Sequence, residues 1–325
     1  MRSKLSAVLS LLLVAMTSLA SGCSSEEDSS TTETGAGGGG AGGNGAGGNG
    51  AGGAGGAGGT DDAIGGDRPV EVFVPSSYQE GTPAALVVLL HGYSASGALQ
   101  ELYFQLEPLA EARGFLYAHP DGTVDSDGNH FWNATDACCN FDGSEVDDSA
   151  YLRKVVEDIQ ARYTVDPKRI FFAGHSNGGF MSYRMACDHA DLIAAVASLA
   201  GAMTSDPAAC SPSEPVAVLQ IHGTADDTIA YDGGTIPGAA TYPGALATVQ
   251  AWAEFDGCSA TSTAGPTLDL EASLTGAETS TQSFGDCDPG GYAELWTIEG
   301  GSHSPGFNAS FGAEMIDFLL AHPKP

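Results

Sequence analysis

From Arg68 onward the hydrophobic positions fall into short runs with two recurring periods. Val70-Glu71-Val72-Phe73-Val74 alternates apolar and polar, the period of a half-buried strand. Ala84 to Leu90 is a continuous apolar run closed by His91-Gly92, as expected of a strand covered on both faces of a parallel sheet. The spacing then predicts a helix over Leu99 to Arg113, a strand over Phe115 to Ala118, a long loop and a helix over Ser149 to Tyr163. There follow a strand from Arg169 to Ala173, a helix from Gly178 to His189, strands at Leu192 to Leu199 and Val216 to Ile221, and a helix from Ala245 to Phe255. A last strand, Tyr292 to Ile298, leads to a closing helix from Ala309 to Ala321. Strands alternating with helices imply right-handed crossovers and an α/β fold with a doubly wound, mostly parallel sheet. No composition break divides Arg68 from Pro323, so residues 67–325 are read as one domain.

The N-terminal part follows other rules. Arg2 and Lys4 precede an apolar run from Leu5 to Ala20 that is too short for a spanning helix, which reads as an export signal over residues 1–22. Ala20-Ser21-Gly22-Cys23 resembles a bacterial lipobox, in which the cysteine takes the lipid and becomes the mature N-terminus. Ala20 stands where that pattern has a large aliphatic residue, so cleavage after Ala20 is the alternative. Residues 23–66 are Ser/Thr-rich and acidic, then nearly all glycine and alanine from Gly35 to Gly59. Such a segment has almost nothing to bury, so a disordered tether is expected, and the lack of strict triplets and proline excludes collagen. The expectation is an exported protein, lipid-anchored at the cell surface or outer membrane or freely secreted, touching membrane only through its N-terminal lipid.

Charge narrows the partners. With 11 Lys plus Arg against 41 Asp plus Glu, the formal charge is −30, and a phosphate polyanion would be repelled. Nucleic acid is excluded as a partner. Six of the seven cysteines lie beyond Cys23, an even number that in an exported chain predicts disulfides. Cys258 and Cys287 flank one polar segment and are paired with each other, leaving three ways to join Cys138, Cys139, Cys187 and Cys210. No C-x-x-C spacing occurs, and the acidic stretch Asp121 to Asn129 does not fit the register of a calcium loop, so no metal is expected.

Gly174-His175-Ser176-Asn177-Gly178 is G-x-S-x-G between a predicted strand and a predicted helix. Small residues at either end let strand and helix approach while Ser176 is pushed out of the sheet, and the Asn177 N–H then points to the same spot as an oxyanion donor. A serine hydroxyl needs a histidine base, and the base needs an acid to fix its tautomer. His222-Gly223-Thr224-Ala225-Asp226-Asp227 supplies two carboxylates after the strand ending at Ile221, and Gly300-Gly301-Ser302-His303 supplies a histidine after the last strand. His91, His175 and His222 each sit beside a glycine at a strand end, where the ordinary role is backbone hydrogen bonding. The loop after the early central strand offers the Tyr93 N–H as a second oxyanion donor. Trp132, in the cysteine-rich loop, is a candidate for stacking on an aromatic acyl group or a sugar, with packing as the alternative.

Seven ordered motifs carry a resemblance: Leu90-His91-Gly92-Tyr93, His119-Pro120-Asp121-Gly122, Phe131-Trp132-Asn133-Ala134 with Cys138-Cys139, Val146-Asp147-Asp148, Gly174 to Gly179, His222 to Asp226, and Gly300 to Gly306. Over nearly all of Arg68 to Pro323 the chain resembles the secreted esterases grouped with poly(3-hydroxybutyrate) depolymerases and feruloyl esterases. The resemblance implies an α/β-hydrolase fold, a triad of Ser176, Asp226 and His303, cleavage of carboxylic esters through an acyl-enzyme and no cofactor. It also selects Asp226 over Asp227. Ser304 stands where many members have tryptophan, and the chain stops after its closing helix without the polymer-binding domain common in extracellular depolymerases. Feruloyl or acetyl esters of plant polysaccharide are therefore the expected substrates and a monomer the expected state. A polyester depolymerase, or an inactive surface carbohydrate-binding protein, is the competing reading.

Overall fold

Residues 63–325 are described in the computed structural model; the export signal at 1–22, Cys23 and the tether up to residue 62 lie outside the described residues. In chain order the strands are β1 (Val72–Phe73), β2 (Ala84–Leu90), β3 (Leu116–Ala118), β4 (Thr123–Val124), β5 (His130–Phe131), β6 (Val165–His175), β7 (Ala195–Leu199), β8 (Ala217–Gly223), β9 (Gly233–Thr235), β10 (Thr241–Pro243), β11 (Thr263–Ala264), β12 (Thr279–Phe284) and β13 (Ala293–Ile298). The helices are α1 (Gly97–Phe104), α2 (Glu107–Arg113), α3 (Asp148–Arg162), α4 (Asn177–Asp188), α5 (Ala245–Phe255) and α6 (Phe311–Ala321).

One nine-stranded sheet runs in the order β1-β3-β2-β6-β7-β8-β13-β12-β11. The inner strands β3 to β13 pair in parallel, and β1, β12 and β11 add antiparallel edges. In β2 the period-2 side chains divide between two cores: Leu86, Val88 and Leu90 face one layer and Ala85, Val87 and Leu89 the other, all of them buried. That explains the unbroken apolar run in the sequence. The chain leaves β2 toward β3 on one side and returns to β6 on the other, so the order reverses at the carboxyl ends of β2 and β6. Ligands bind at such a reversal in open α/β sheets.

The single helix expected over Leu99 to Arg113 is two. Gln105 takes a left-handed conformation at φ 54°, and Pro108 lies in the first turn of the second helix. The Glu101 carboxylate holds the break by accepting the Leu106 and Glu107 N–H groups, both at 3.0 Å. Strands β11 and β12 had no apolar signal to announce them. Packed structure begins upstream of the boundary expected at residue 67: Ile64 is 4% exposed, and the Gly65 N–H donates to Asp158 Oδ2 at 3.0 Å.

The disulfides join Cys258 to Cys287, Cys187 to Cys210 and Cys138 to Cys139. The first closes a loop of 29 residues that contains the antiparallel edge of the sheet. Replacing both of its cysteines by serine is expected to lower unfolding stability by about 2–3 kcal/mol. Urea unfolding midpoints would read this as a fall under oxidising conditions that shrinks once both proteins are reduced.

Candidate functional site

The turn from β6 into α4 puts Ser176 at φ 54° and ψ −118°, a conformation that costs about 1–3 kcal/mol for a residue with a side chain. Two glycines make it possible. A Cβ on Gly174 would lie 2.2 Å from the Gly178 carbonyl oxygen, and one on Gly178 would lie 2.2 Å from that of Leu90. Strand, helix and neighbouring strand therefore touch backbone to backbone, and the Ser176 N–H is fixed by the Leu199 carbonyl at 2.8 Å.

Ser176 Oγ lies 2.9 Å from His303 Nε2, and His303 Nδ1 lies 2.8 Å from Asp226 Oδ2. His303 comes from the loop between β13 and α6, and Asp226 from the loop after β8. Backbone bonds from Thr224 to Ile298 and from Ala225 to Gly301 knit those two loops together, as does a Gly300 N–H donated to the Thr224 hydroxyl. Asp226 Oδ1 accepts the N–H groups of Thr228 at 2.9 Å and Ile229 at 2.8 Å. Burial alone would raise the Asp226 pKa. Hydrogen bonds from His222, His303 and Ile229 outweigh it and hold the carboxyl well below the ordinary carboxylate range. Asp227 is exposed, and its Oδ1 accepts the Thr228 hydroxyl at 3.4 Å.

Three side chains that sequence reasoning did not assign to the site brace the histidine loop. The His175 Nε2–H donates to the His303 carbonyl at 2.9 Å, and burial pushes the His175 pKa down to about 3, which keeps the ring neutral. The Tyr103 hydroxyl donates to the Pro305 carbonyl at 2.7 Å. Glu271, 4% exposed, accepts the Gly306 N–H at 3.0 Å and the Ser273 hydroxyl at 2.7 Å. His175 carried a signal, its place beside the nucleophile. Tyr103 and Glu271 reach the loop from distant segments and carried none.

The Gly92-Tyr93 backbone lies against the serine, since a Cβ on Gly92 would come within 3.4 Å of Ser176 Cβ. Neither the Tyr93 nor the Asn177 amide has a backbone acceptor among the described residues. The loop carrying Tyr93 is pinned from several sides. Its hydroxyl donates to Asp125 Oδ2 at 2.6 Å, Asn129 Nδ2 donates to that hydroxyl at 3.2 Å, and the Ser94 N–H reaches the His130 carbonyl at 2.9 Å. His91 Nδ1 donates to the Gly92 carbonyl at 2.8 Å while its Nε2 accepts the Gly122 N–H at 2.9 Å, and burial lowers its pKa to about 4. The Asp121 to Asn129 segment is a polar turn whose Asp125 accepts the Asp127 and Asn129 N–H groups besides Tyr93.

Trp132 is a correction. It does not stack on a ligand, because its side chain is fully buried. Its indole N–H donates to the His91 carbonyl at 3.1 Å and its ring packs against His91 and Tyr151. The Asn177 side chain clasps it, accepting the Trp132 N–H at 2.7 Å and donating to the Trp132 carbonyl at 2.9 Å. The tryptophan thus wedges the two amide-bearing loops together. Among the described residues no group of His, Cys, Asp and Glu is placed to hold a metal ion, and no helix is long and apolar enough to cross a membrane.

Comparison with known proteins agrees with this geometry. A family model described as phospholipase/carboxylesterase matches residues 76–236. The chain is 30% identical over 246 residues to feruloyl esterase B of Piromyces equi, covering 74% of this chain and 43% of that protein. It is 28% identical to a bifunctional acetylxylan esterase/xylanase of Neocallimastix patriciarum, covering 51% of this chain and 22% of that one. The chain thus spans less than half the length of these relatives. Among solved structures, the acetyl xylan esterase from Aspergillus awamori superposes with a TM-score of 0.55 at 18% identity, over 77% of this chain and 93% of that one. Sheet order, nucleophile turn and the matched family model agree on an α/β-hydrolase fold, and the chain's sequence likeness runs to esterases.

Proposed function

We propose that the protein is a serine carboxylic ester hydrolase in which Ser176, His303 and Asp226 are the catalytic triad. The observation that carries this reading is the unbroken line of contacts from Asp226 Oδ2 through His303 to Ser176 Oγ, with the Tyr93 and Asn177 amides, neither with a backbone acceptor, at its serine end. His303 Nε2 takes the Ser176 proton as Oγ bonds to the ester carbonyl carbon, and the carbonyl oxygen becomes an oxyanion facing the Tyr93 and Asn177 N–H groups. Each such donor contributes about 3 kcal/mol to the transition state. Collapse breaks the bond to the alcohol, which leaves with the proton from His303. Water then repeats the sequence, releasing the acid and restoring Ser176. Asp226, ionised and buried, holds the Nδ1–H tautomer and offsets the positive charge on the ring.

Feruloyl or acetyl esters of plant polysaccharide are the proposed substrates, supported by relatives named feruloyl esterase and acetylxylan esterase. Three disulfides support export; lipid attachment at Cys23 and a monomeric state complete the proposal. The test is a panel of aryl acetate, methyl ferulate, acetylated xylan and poly(3-hydroxybutyrate) film, with and without a phosphonylating inhibitor. Turnover on soluble esters, with the inhibitor's mass added on the Ser176 peptide, is the expected result. Preference for the film would move the protein to the polyester depolymerases. Binding to xylan with no turnover and no labelling would leave a carbohydrate-binding protein.

A further inference from the structure

We infer that His222, itself oriented by Gln220, is a positioning residue that holds the Asp226 carboxylate in place for His303. The inference rests on the triad reading above and extends the line of contacts from three residues to five.

Two imidazoles converge on one oxygen. Asp226 Oδ2 takes His303 Nδ1 at 2.8 Å and His222 Nε2 at 3.2 Å, while Oδ1 is filled by two backbone N–H groups. His222 is 1% exposed, and its Nε2 also lies 2.8 Å from the Ile229 carbonyl. That contact is the backbone role expected of a histidine beside a strand-end glycine; the contact with Asp226 goes beyond it.

The hydrogen-bond network fixes the tautomer. Gln220, two residues earlier on β8 and fully buried, donates its amide N–H to the Gly201 carbonyl at 2.8 Å, so its Nε2 must face that way. The same Nε2 lies 3.2 Å from His222 Nδ1, which can then only accept. The proton of neutral His222 is therefore on Nε2, where it serves both the Ile229 carbonyl and Asp226 Oδ2. Gln220 is an expensive residue for this location: its Oε1 is buried and unpartnered, a cost that an apolar residue in β8 would not incur. A role in setting the His222 tautomer accounts for it.

The consequence for His303 has a definite sign. A donor on Oδ2 draws carboxylate charge away from the His303 side. Removing it leaves more of the carboxylate charge facing His303, and the acid limb of turnover is where that change is read. The other titratable groups facing this cluster are His175 from the end of β6, Tyr231 edge-on to the His222 ring at 5.7 Å, and Tyr242 from β10. None of them donates to Asp226 Oδ2.

The test compares His222→Phe, which keeps an aromatic ring beside Tyr231, with His222→Gln, whose side-chain amide reaches the Nε2 position as a donor. His222→Phe is expected to lower kcat about tenfold with KM unchanged, the size seen when a residue supporting an active-site ligand is lost. The acid limb of its kcat profile is expected to move to higher pH. His222→Gln restores most of both. Gln220→Leu, which removes the donor that His222 Nδ1 accepts, moves the limb in the same direction. The His303 ring is also titrated by NMR in the Ser176→Ala background, a readout that needs no turnover and survives failure of the esterase reading. A His303 titration unmoved by His222→Phe, or equal behaviour of the Phe and Gln variants, overturns the inference.

Discussion

Ser176→Ala and His303→Ala are each expected to lower kcat by about 10⁶-fold, and the double variant to be no worse than either single one. The three side chains act on one proton. Without Oγ nothing is acylated, and without His303 the hydroxyl keeps its proton, so removing the second partner takes away nothing further. What remains comes from the two amides and from binding. Asp226→Asn belongs to the same series with a smaller loss, about 10⁴-fold, because the amide cannot hold the Nδ1–H tautomer of His303 in the way the carboxylate does. Circular dichroism and melting curves should show all of these variants folded, since the Ser176 and His303 changes remove few packed atoms. Multiplicative losses in the double variant would mean that Ser176 and His303 act independently, and the triad reading would fall.

Gly178→Ala is expected to cost about 3 kcal/mol of stability, at the upper end of overpacking effects. The new methyl meets the Leu90 carbonyl at 2.2 Å, and that oxygen belongs to a central strand with parallel neighbours on both sides. It cannot swing away as the tip of a side chain would. The helix must lift instead, taking the Asn177 amide and the Ser176 hydroxyl with it. A displacement of about 1 Å in a catalytic group is enough to lose roughly 10²-fold in rate, so any protein that folds should also be a poor catalyst. Gly128→Ala, at a turn with nothing near the added carbon but with φ 87°, separates the two causes of glycine dependence. It should cost only the backbone strain and leave kcat alone. Equal losses at both positions would refute the steric argument.

The reach of the sequence differs from one residue to the next. The central strands could be read because their apolar runs end on His-Gly, and Ser176 because its pattern stands where a strand becomes a helix. Choosing His303 from eight histidines needed the order of elements and its place on the glycine-rich loop directly after the last strand. Choosing between Asp226 and Asp227 needed the family resemblance, because adjacent carboxylates are equivalent in pattern and differ only once a loop folds one inward. Strand β12, Thr-Ser-Thr-Gln-Ser-Phe, was invisible because pairing with β13 and β11 supplies its stability in place of an apolar face. Trp132 stood open between a ligand platform and packing because an aromatic residue in a loop carries no mark of its burial, which the structure shows to be complete. His222 offered the opposite case: the backbone role expected of it is present, and the contact that matters lies on the same nitrogen.

Glu271 links the base to the least regular part of the fold. The nucleophile and the acid rise from parallel strands packed between two cores, whereas the loop bearing His303 is fastened through Gly306 to the segment between β11 and β12, at the antiparallel margin of the sheet. The base is thus held from two directions, by the parallel centre of the sheet and by its antiparallel margin. Substitutions along residues 265–279 can therefore reach the base through Glu271 and Gly306, which gives directed evolution a handle on turnover far along the chain from Ser176.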